Sequence, residues 1–352
     1  MTEKDYSGAT TSKIGKNAKA SSNSQKQTIT PKSQTPKQTK DELTINNQNN
    51  ENSLTQEQIS NYKKAGEIAK KIKIYAIELI KPGMPLLEIA EKIEEQIIKQ
   101  GGEIGFPVDL NIDDITAHYT PGYNDETLAK GLLNVDIGVQ IKGCICDFAF
   151  SIDLTPEKKH KAMIEASEQA LENAINLIKQ KKHETIISEI GKEIQTTIEK
   201  AGFIPIVNLS GHSLDEFEIH SGLTIPNIDN SSNKRLGNGA FAIEPFATLS
   251  SASGKVYDSG AGNVFRITGK GAVRDSFARQ VLEFIIENKK TLPFSQREIV
   301  KKFSSRALFA LRNLEQAGAI EEYSQLVESS HAPVCQSETS LIIHDDIVEI
   351  LC

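Results

Sequence analysis

From Ile59 onward, apolar residues recur at helical spacing: Ile59, Tyr62, Ala65, Ile68, Ala69, Ile72, Ala76, Leu79 and Ile80 fall on one face. Thr55 and Gln58 form a capping box ahead of this face, and Pro82-Gly83 stops it. A second helix is predicted from about Leu86 to Gln100, closed by Gly101-Gly102. The unit then recurs. Ala76-Ile77-Glu78-Leu79-Ile80-Lys81 is echoed by Ala174-Ile175-Asn176-Leu177-Ile178-Lys179. Ile89, Ile93, Ile97, Lys99 and Gly101 match Ile190, Ile194, Ile198, Lys200 and Gly202.

Each helix pair leads into β-like segments. The first set includes Leu132 to Ile141 and Cys144 to Leu154, the second Ile204 to Leu209 and Ala240 to Leu249. Two like halves of helices and antiparallel strands predict an α+β fold with internal pseudo-twofold duplication and a cleft between the halves. Residues 272–332 break the rhythm. They read as a helix from Arg274 to Asn288, a Leu292-Pro293 turn, further helices through Ile299–Phe303 and Ala307–Ala317, and a short β-like tail, resembling an inserted winged-helix unit. Its basic residues are interleaved with acidic ones, so it lacks a one-sided basic face and reads as structural. The catalytic domain is thus expected over 55–271 and 333–352.

Residues 1–54 are rich in Lys, Ser, Thr, Asn and Gln and have too few apolar positions to offset their ordering entropy. They read as a disordered polar leader; their scattered lysines leave a ribosome-contacting tail as the other reading. The formal charge of -7 argues against a protein that coats nucleic acid or anionic lipid. No segment resembles a secretory signal or a membrane span. Cys144, Cys146, Cys335 and Cys352 fit neither a disulfide framework nor a structural zinc site, so buried thiols in a reducing, cytoplasmic setting are expected.

The candidate chemistry starts with Asn134-Val135-Asp136-Ile137-Gly138 and Cys146-Asp147-Phe148. A turn near Lys142-Gly143 makes these a hairpin that brings both aspartates to one face. Carboxylates amid apolar strands are costly unless neutralised, and a divalent cation does that; a pair of turn or edge aspartates would show the same residues. His212 follows Ser210-Gly211, small residues that permit close backbone approach, and His220 lies in Ile219-His220-Ser221-Gly222. His118, in Thr116-Ala117-His118-Tyr119-Thr120-Pro121, is a third candidate. A lone histidine is usually a satisfied core or surface residue; two after two acidic strands are harder to dismiss. His160, His183, His331 and His344 are assigned no role. Glu244, in an apolar strand, and Glu338, just before Leu341-Ile342-Ile343, are carboxylates that need a partner if buried.

The ordered set Asp136, Asp147, His212, Glu244, Glu338 resembles the ligand set of the pita-bread metallohydrolases. Ala117-His118-Tyr119-Thr120-Pro121, Gly211-His212-Ser213 and Ile219-His220-Ser221-Gly222 resemble type 2 methionine aminopeptidases of the archaeal and eukaryotic class. Ala242-Ile243-Glu244-Pro245-Phe246-Ala247 is similar to the archaeal form. The resemblance spans residues 57–351. It implies a methionyl aminopeptidase holding two divalent ions (Co, Mn, Fe or Zn) on those five residues, with a bridging hydroxide as nucleophile. By the same resemblance Glu244 relays a proton, His220 steadies the oxyanion and His118 contacts the scissile amide. Phe106 and Ile219 would wall the methionine pocket, which suits a soft thioether.

Three features depart from the family pattern. Thr339 stands where a histidine is common, the Ser/Gly-rich loop Ser250–Gly262 would alter the pocket rim, and the leader lacks dense charged blocks. The resemblance implies a cytoplasmic monomer acting on the N-terminal Met of nascent chains, near the ribosome, without specific nucleic acid or membrane contact. An X-Pro aminopeptidase or prolidase shares the ligand order but usually carries a separate N-terminal domain. A catalytically inactive binding relative would lack ligands that are all present here.

Overall fold

In the computed structural model, which describes residues 54–352, α1 (Gln56–Leu79) begins where the capping signal predicts. The Gln58 amide donates to Thr55 Oγ1 at 3.2 Å, and the Thr55 amide donates to Gln58 Oε1 at 2.9 Å, completing the reciprocal cap. The leader expected over residues 1–54 lies outside the described residues, apart from Leu54.

The first half continues with α2 (Leu86–Lys99), β1 (Glu103–Ile112), β2 (Ile115–Ala117), β3 (Leu132–Ile141) and β4 (Cys144–Asp153). The second comprises α3 (Lys161–Lys181), α4 (Ile187–Lys200), β5 (Phe203–Pro205), β6 (Ser210–Leu214), β7 (Thr224–Pro226), β8 (Gly239–Ile243), β9 (Phe246–Leu249) and β10 (Val256–Ile267). The halves repeat each other in detail. Ile89, Ile93 and Ile97 of α2 and Ile190, Ile194 and Ile198 of α4 are all buried. The Leu86 amide bonds Thr127 O at 2.8 Å, and the matching Ile187 amide bonds Lys234 O at 2.9 Å. Gly101 and Gly202 leave their helices at φ 84° and 89°, a left-handed conformation that glycine adopts without a Cβ penalty.

The remaining elements are α5 (Ser276–Lys289), β11 (Phe294–Ser295), α6 (Gln296–Phe303), α7 (Ala307–Gln316), β12 (Ile320–Glu328), β13 (Val334–Gln336), β14 (Thr339–His344) and β15 (Ile347–Ile350). The three helices share an apolar cluster that includes Val281, Ile285, Phe294, Ile299, Leu311 and Leu314. Their expected short tail is instead the nine-residue β12, which pairs along β10 and reaches β2, where Leu326 opposes Ala117 beside His118.

Three further expectations need correction. The segment Ile204–Leu209 is strand only as far as Pro205, where β5 ends. The apolar run Ala240–Leu249 is not one strand: it divides into β8 and β9 at Glu244-Pro245, because proline has no N–H for the ladder. The Ser250–Gly262 segment is largely not a loop, since Val256 onward belongs to β10.

Two sheets frame the site: β1-β3-β4 and β15-β14-β8-β6-β7. Alternation sorts the second sheet. Ala240, Ala242 and Ile342 join the cluster built with α1 and α2, while Phe241, Ile243, Leu341 and Ile343 join the one built with α3 and α4. The sheets meet along β4 and β14. There the Asp147 amide donates to Ser340 Oγ, and the Ser340 hydroxyl donates to Asp147 O, both at 2.8 Å. The Glu338 amide donates to Ala149 O at 3.0 Å across the same seam.

Candidate metal centre and substrate cleft

The β3–β4 connection turns on Lys142 and Gly143, at φ 50° and 89°, the two positive values a tight hairpin of this twist needs. Its register sets Asp136 opposite Ala149 and Asp147 opposite Gly138, so the two aspartates share a face on a diagonal. His212 comes from β6. A Cβ on Gly211 would lie 2.3 Å from Ala242 O, so only glycine lets β6 press this closely on β8. Glu244 comes from the break between β8 and β9, and Glu338 from the bend between β13 and β14.

All five line one cavity of about 370 Å³, together with Phe106, His118, Ile219 and His220. Asp147, His212 and Glu338 each place a donor atom within 4.8 Å of the other two, and all three are buried. Asp136 and Glu244 stand just outside that triple: His212 Nε2 is 3.5 Å from Glu244 Oε1 and 3.7 Å from Asp147 Oδ2. Gln336 Nε2 bridges the two sides, donating to Asp136 Oδ2 at 3.2 Å and Glu338 Oε2 at 3.1 Å.

So many acids in so little solvent disturb one another. Burial pushes the Asp136 carboxyl up to about 7. Burial, then the neighbouring carboxylates, raise Asp147, Glu244 and Glu338 well above the ordinary range. Burial, then His220, holds His212 down at about 3, leaving a neutral imidazole with a free lone pair. Asp136 Oδ1 and Asp147 Oδ1 are buried without any hydrogen-bond partner. Orphaned carboxylate oxygens facing a neutral histidine are what a cation-binding set requires, and they fit hard or borderline divalent ions.

His118 sits across the cavity at φ 64°. Its Nδ1 lies 3.2 Å from the Ser324 carbonyl, which can only accept, so Nδ1 carries the proton and Nε2 keeps its lone pair. Desolvation lowers its pKa, which keeps the ring neutral. Tyr323 from β12 meets that ring edge-on, 5.3 Å between centroids. His220 is exposed into the cleft, and desolvation followed by His118 and Arg266 holds it below the usual histidine range.

Sequence reasoning missed three residues here. Asp109 is the cross-strand partner of Asp136; it is buried, with Oδ1 unpaired. Its signal, an acid inside the apolar run Val108–Leu110, is the one that identified Asp136. Gln336 was legible as the residue two before Glu338. Tyr323 had no signal, because the expected β-like tail gave no sign that it pairs with β10 and β2 and so reaches His118. Thr339, the departure beside Glu338, donates its hydroxyl to Cys352 O.

The model of metallopeptidase family M24 matches residues 60–275 of this chain. The methionine aminopeptidase of Methanocaldococcus jannaschii is 39% identical over 299 residues, covering 83% of this chain and 99% of that protein. Methionine aminopeptidase 2 of Candida albicans is 31% identical over 313 residues, covering 82% of this chain and 69% of that protein. Among solved structures, a thermophilic Arx1 superposes with a TM-score of 0.72 at 16% identity, over 85% of this chain and 91% of that one, a likeness of fold alone.

Proposed function

The chain belongs to metallopeptidase family M24, in the branch of the archaeal and type 2 methionine aminopeptidases, and from that premise we propose that it hydrolyses N-terminal methionine from polypeptides. The observation that carries the reading is the convergence of four carboxylates and one neutral imidazole on a single cavity edged by Phe106 and Ile219.

In this proposal Asp136, Asp147, His212, Glu244 and Glu338 hold two divalent ions. Four carboxylates supply a charge that two such ions would balance. The ions would lower the pKa of a bound water and polarise the scissile carbonyl. The other roles belong to the chain itself. Phe106 and Ile219 bind the methionine side chain and exclude water around it. His118 accepts the scissile amide N–H at Nε2, which orients the peptide. His220 donates its ring N–H to the oxygen that gains charge as the carbonyl carbon becomes tetrahedral. Glu244 relays the proton to the leaving nitrogen. The same reading has the chain act on nascent polypeptides near the ribosome, as a cytoplasmic monomer. Among the described residues, no helix is long and apolar enough to cross a membrane.

Met release from a Met-Gly-x peptide tests the reading. Dialysis against a chelator should abolish it, and Co, Mn, Fe or Zn added singly should restore it. Release that persists without metal removes the two-metal mechanism. A preference for x-Pro-x peptides moves the assignment to the X-Pro enzymes of the family.

A further inference from the structure

The helical segment between β10 and β12 touches the rest of the molecule at several surface points, among them Lys301 with Glu91 and Thr291 with Phe217 O, but one of its contacts is a buried charge. Arg297, on α6, is 1% exposed and is the largest fully buried side chain in the described residues. Its Nη1 donates to Thr120 Oγ1 and, at 2.9 Å, to Pro121 O. Its Nη2 pairs with Glu94 of α2. Both partners turn back onto β1. The Thr120 hydroxyl donates to Val108 O at 2.6 Å, and Glu94 Oε1 accepts the Val108 amide at 3.2 Å. One guanidinium therefore ties α2, β1 and the segment His118–Pro121 into a closed ring of hydrogen bonds.

That segment needs holding. A non-glycine residue at φ 64° sits in a sparsely populated region and stays there only when its surroundings over-determine it. The Tyr119 amide is fixed by Asn111 Oδ1 at 2.9 Å, and the Thr120 amide by Gly262 O at 3.1 Å. Gly262 passes so close that a Cβ there would lie 2.2 Å from His118 O. Asn263 Nδ2 donates to Thr120 O at 3.2 Å, and among the described residues Arg297 is the charged side chain that bonds Thr120 and Pro121. The fork is the right tool, because it satisfies a hydroxyl, a carbonyl and a carboxylate from one rigid plane.

We propose that Arg297 is a positioning residue: the helical segment supplies it to hold His118 in the strained conformation that aims Nε2 into the cleft. The proposal rests on the reading of His118 as the residue that meets the scissile amide. It gives the helical segment a role in the site beyond Pro293, which lines the cavity directly.

Replacing Arg297 alone would strand the Glu94 charge and unfold the region, so the test uses a pair. Glu94→Gln/Arg297→Met removes the charges together, keeps an acceptor for the Val108 amide, and leaves Thr120 and Pro121 without their donor. Thr120→Val removes only the hydroxyl. Two readouts are taken: kcat and KM for a Met-Gly-x peptide, and the imidazole NMR signals of 15N-histidine protein, with His118 assigned through His118→Asn. In the folded double variant kcat should fall roughly 10- to 100-fold with KM little changed, since a displacement of about 1 Å at a substrate-facing group costs up to that much. The His118 signals should shift while those of His160 stay. Thr120→Val should move both readouts the same way, by less. An unchanged kcat, or an unmoved His118 signal, in a folded double variant overturns the proposal. Should the wild-type protein release no methionine, the functional reading fails, and the His118 signals alone decide whether Arg297 positions the segment.

Discussion

The rings of His212 and His220 meet edge to face, 4.5 Å between centroids at 72°. The first is buried among the carboxylates and the second is exposed into the cleft, so under the proposed function these adjacent imidazoles would divide metal ligation from oxyanion stabilisation. His220 has little packing to lose. His220→Ala should therefore leave thermal stability within about 0.5 kcal/mol of the wild type. It should lower kcat by about 10²–10³, the usual effect of removing one donor to a developing oxyanion. Steady-state kinetics beside a melting curve checks both, and normal turnover would end the oxyanion role.

The acidic cluster opposes the fold that holds it. In metal-free protein Asp136, Asp147, Glu244 and Glu338 repel one another in a site that desolvates them all. Glu244→Gln should relieve part of this and stabilise the metal-free protein by about 1–2 kcal/mol, a rise of several degrees in Tm. The wild type should gain about 2.7 kcal/mol at a metal concentration 100 times Kd, and the variant much less. Calorimetry with and without a divalent ion measures both. A Glu244→Gln protein less stable than metal-free wild type would show that Glu244 is not held there under strain.

The residues that gather around the cavity stood out in the sequence because several of them, or their neighbours, break a local rule. Asp136 and Asp147 interrupt apolar strands, Gly211 stands where β6 has no room for a Cβ, and Glu244 precedes a proline inside an apolar run. Local rules also placed α1, α2 and α4, whose buried isoleucines repeat at helical spacing. What escaped depends on pairing between distant segments. Asp109 faces Asp136 only through the β1–β3 register, and Tyr323 reaches His118 only because β12 pairs with both β10 and β2. The contact of Arg297 with Thr120 joins residues 177 positions apart, and no periodicity encodes that.

Glu328 ends β12 and organises the turn that leads from it towards β13. Its Oε1 accepts the Gly254 amide at 2.9 Å; its Oε2 accepts the Ser330 amide and hydroxyl at 2.7 and 2.6 Å and the Ala332 amide at 3.1 Å. Burial alone would raise the carboxyl, but the Ser330 hydroxyl and the three amides outweigh it and hold the pKa below the ordinary range. A carboxyl with a depressed folded pKa stabilises the protein above its unfolded pKa and loses that contribution as pH falls through the folded one. Glu328→Gln should cost about 1–3 kcal/mol at neutral pH in urea denaturation. The gap to wild type should narrow below about pH 4. A gap that stays constant would mean the contribution is shape and not charge.

Phe106 lines the cavity, and its ring lies over Gly138 of the neighbouring strand β3. A Cβ on Gly138 would lie 2.4 Å from the Phe106 ring, so the ring sits where it does because Gly138 has no side chain. This makes opposite predictions for two substitutions. Under the proposed function Phe106→Ala would widen the pocket and remove apolar contact with the methionine thioether. It should lower kcat/KM for Met peptides by about 10- to 100-fold while costing bulkier first residues less, since apolar pockets discriminate by about 1–3 kcal/mol. Gly138→Ala pushes the ring into the cavity, so it should penalise methionine while sparing a smaller first residue such as alanine. Competition between Met-Gly-x, Phe-Gly-x and Ala-Gly-x peptides reads both effects. If the two variants shift specificity in the same direction, Phe106 is not the wall that measures the side chain.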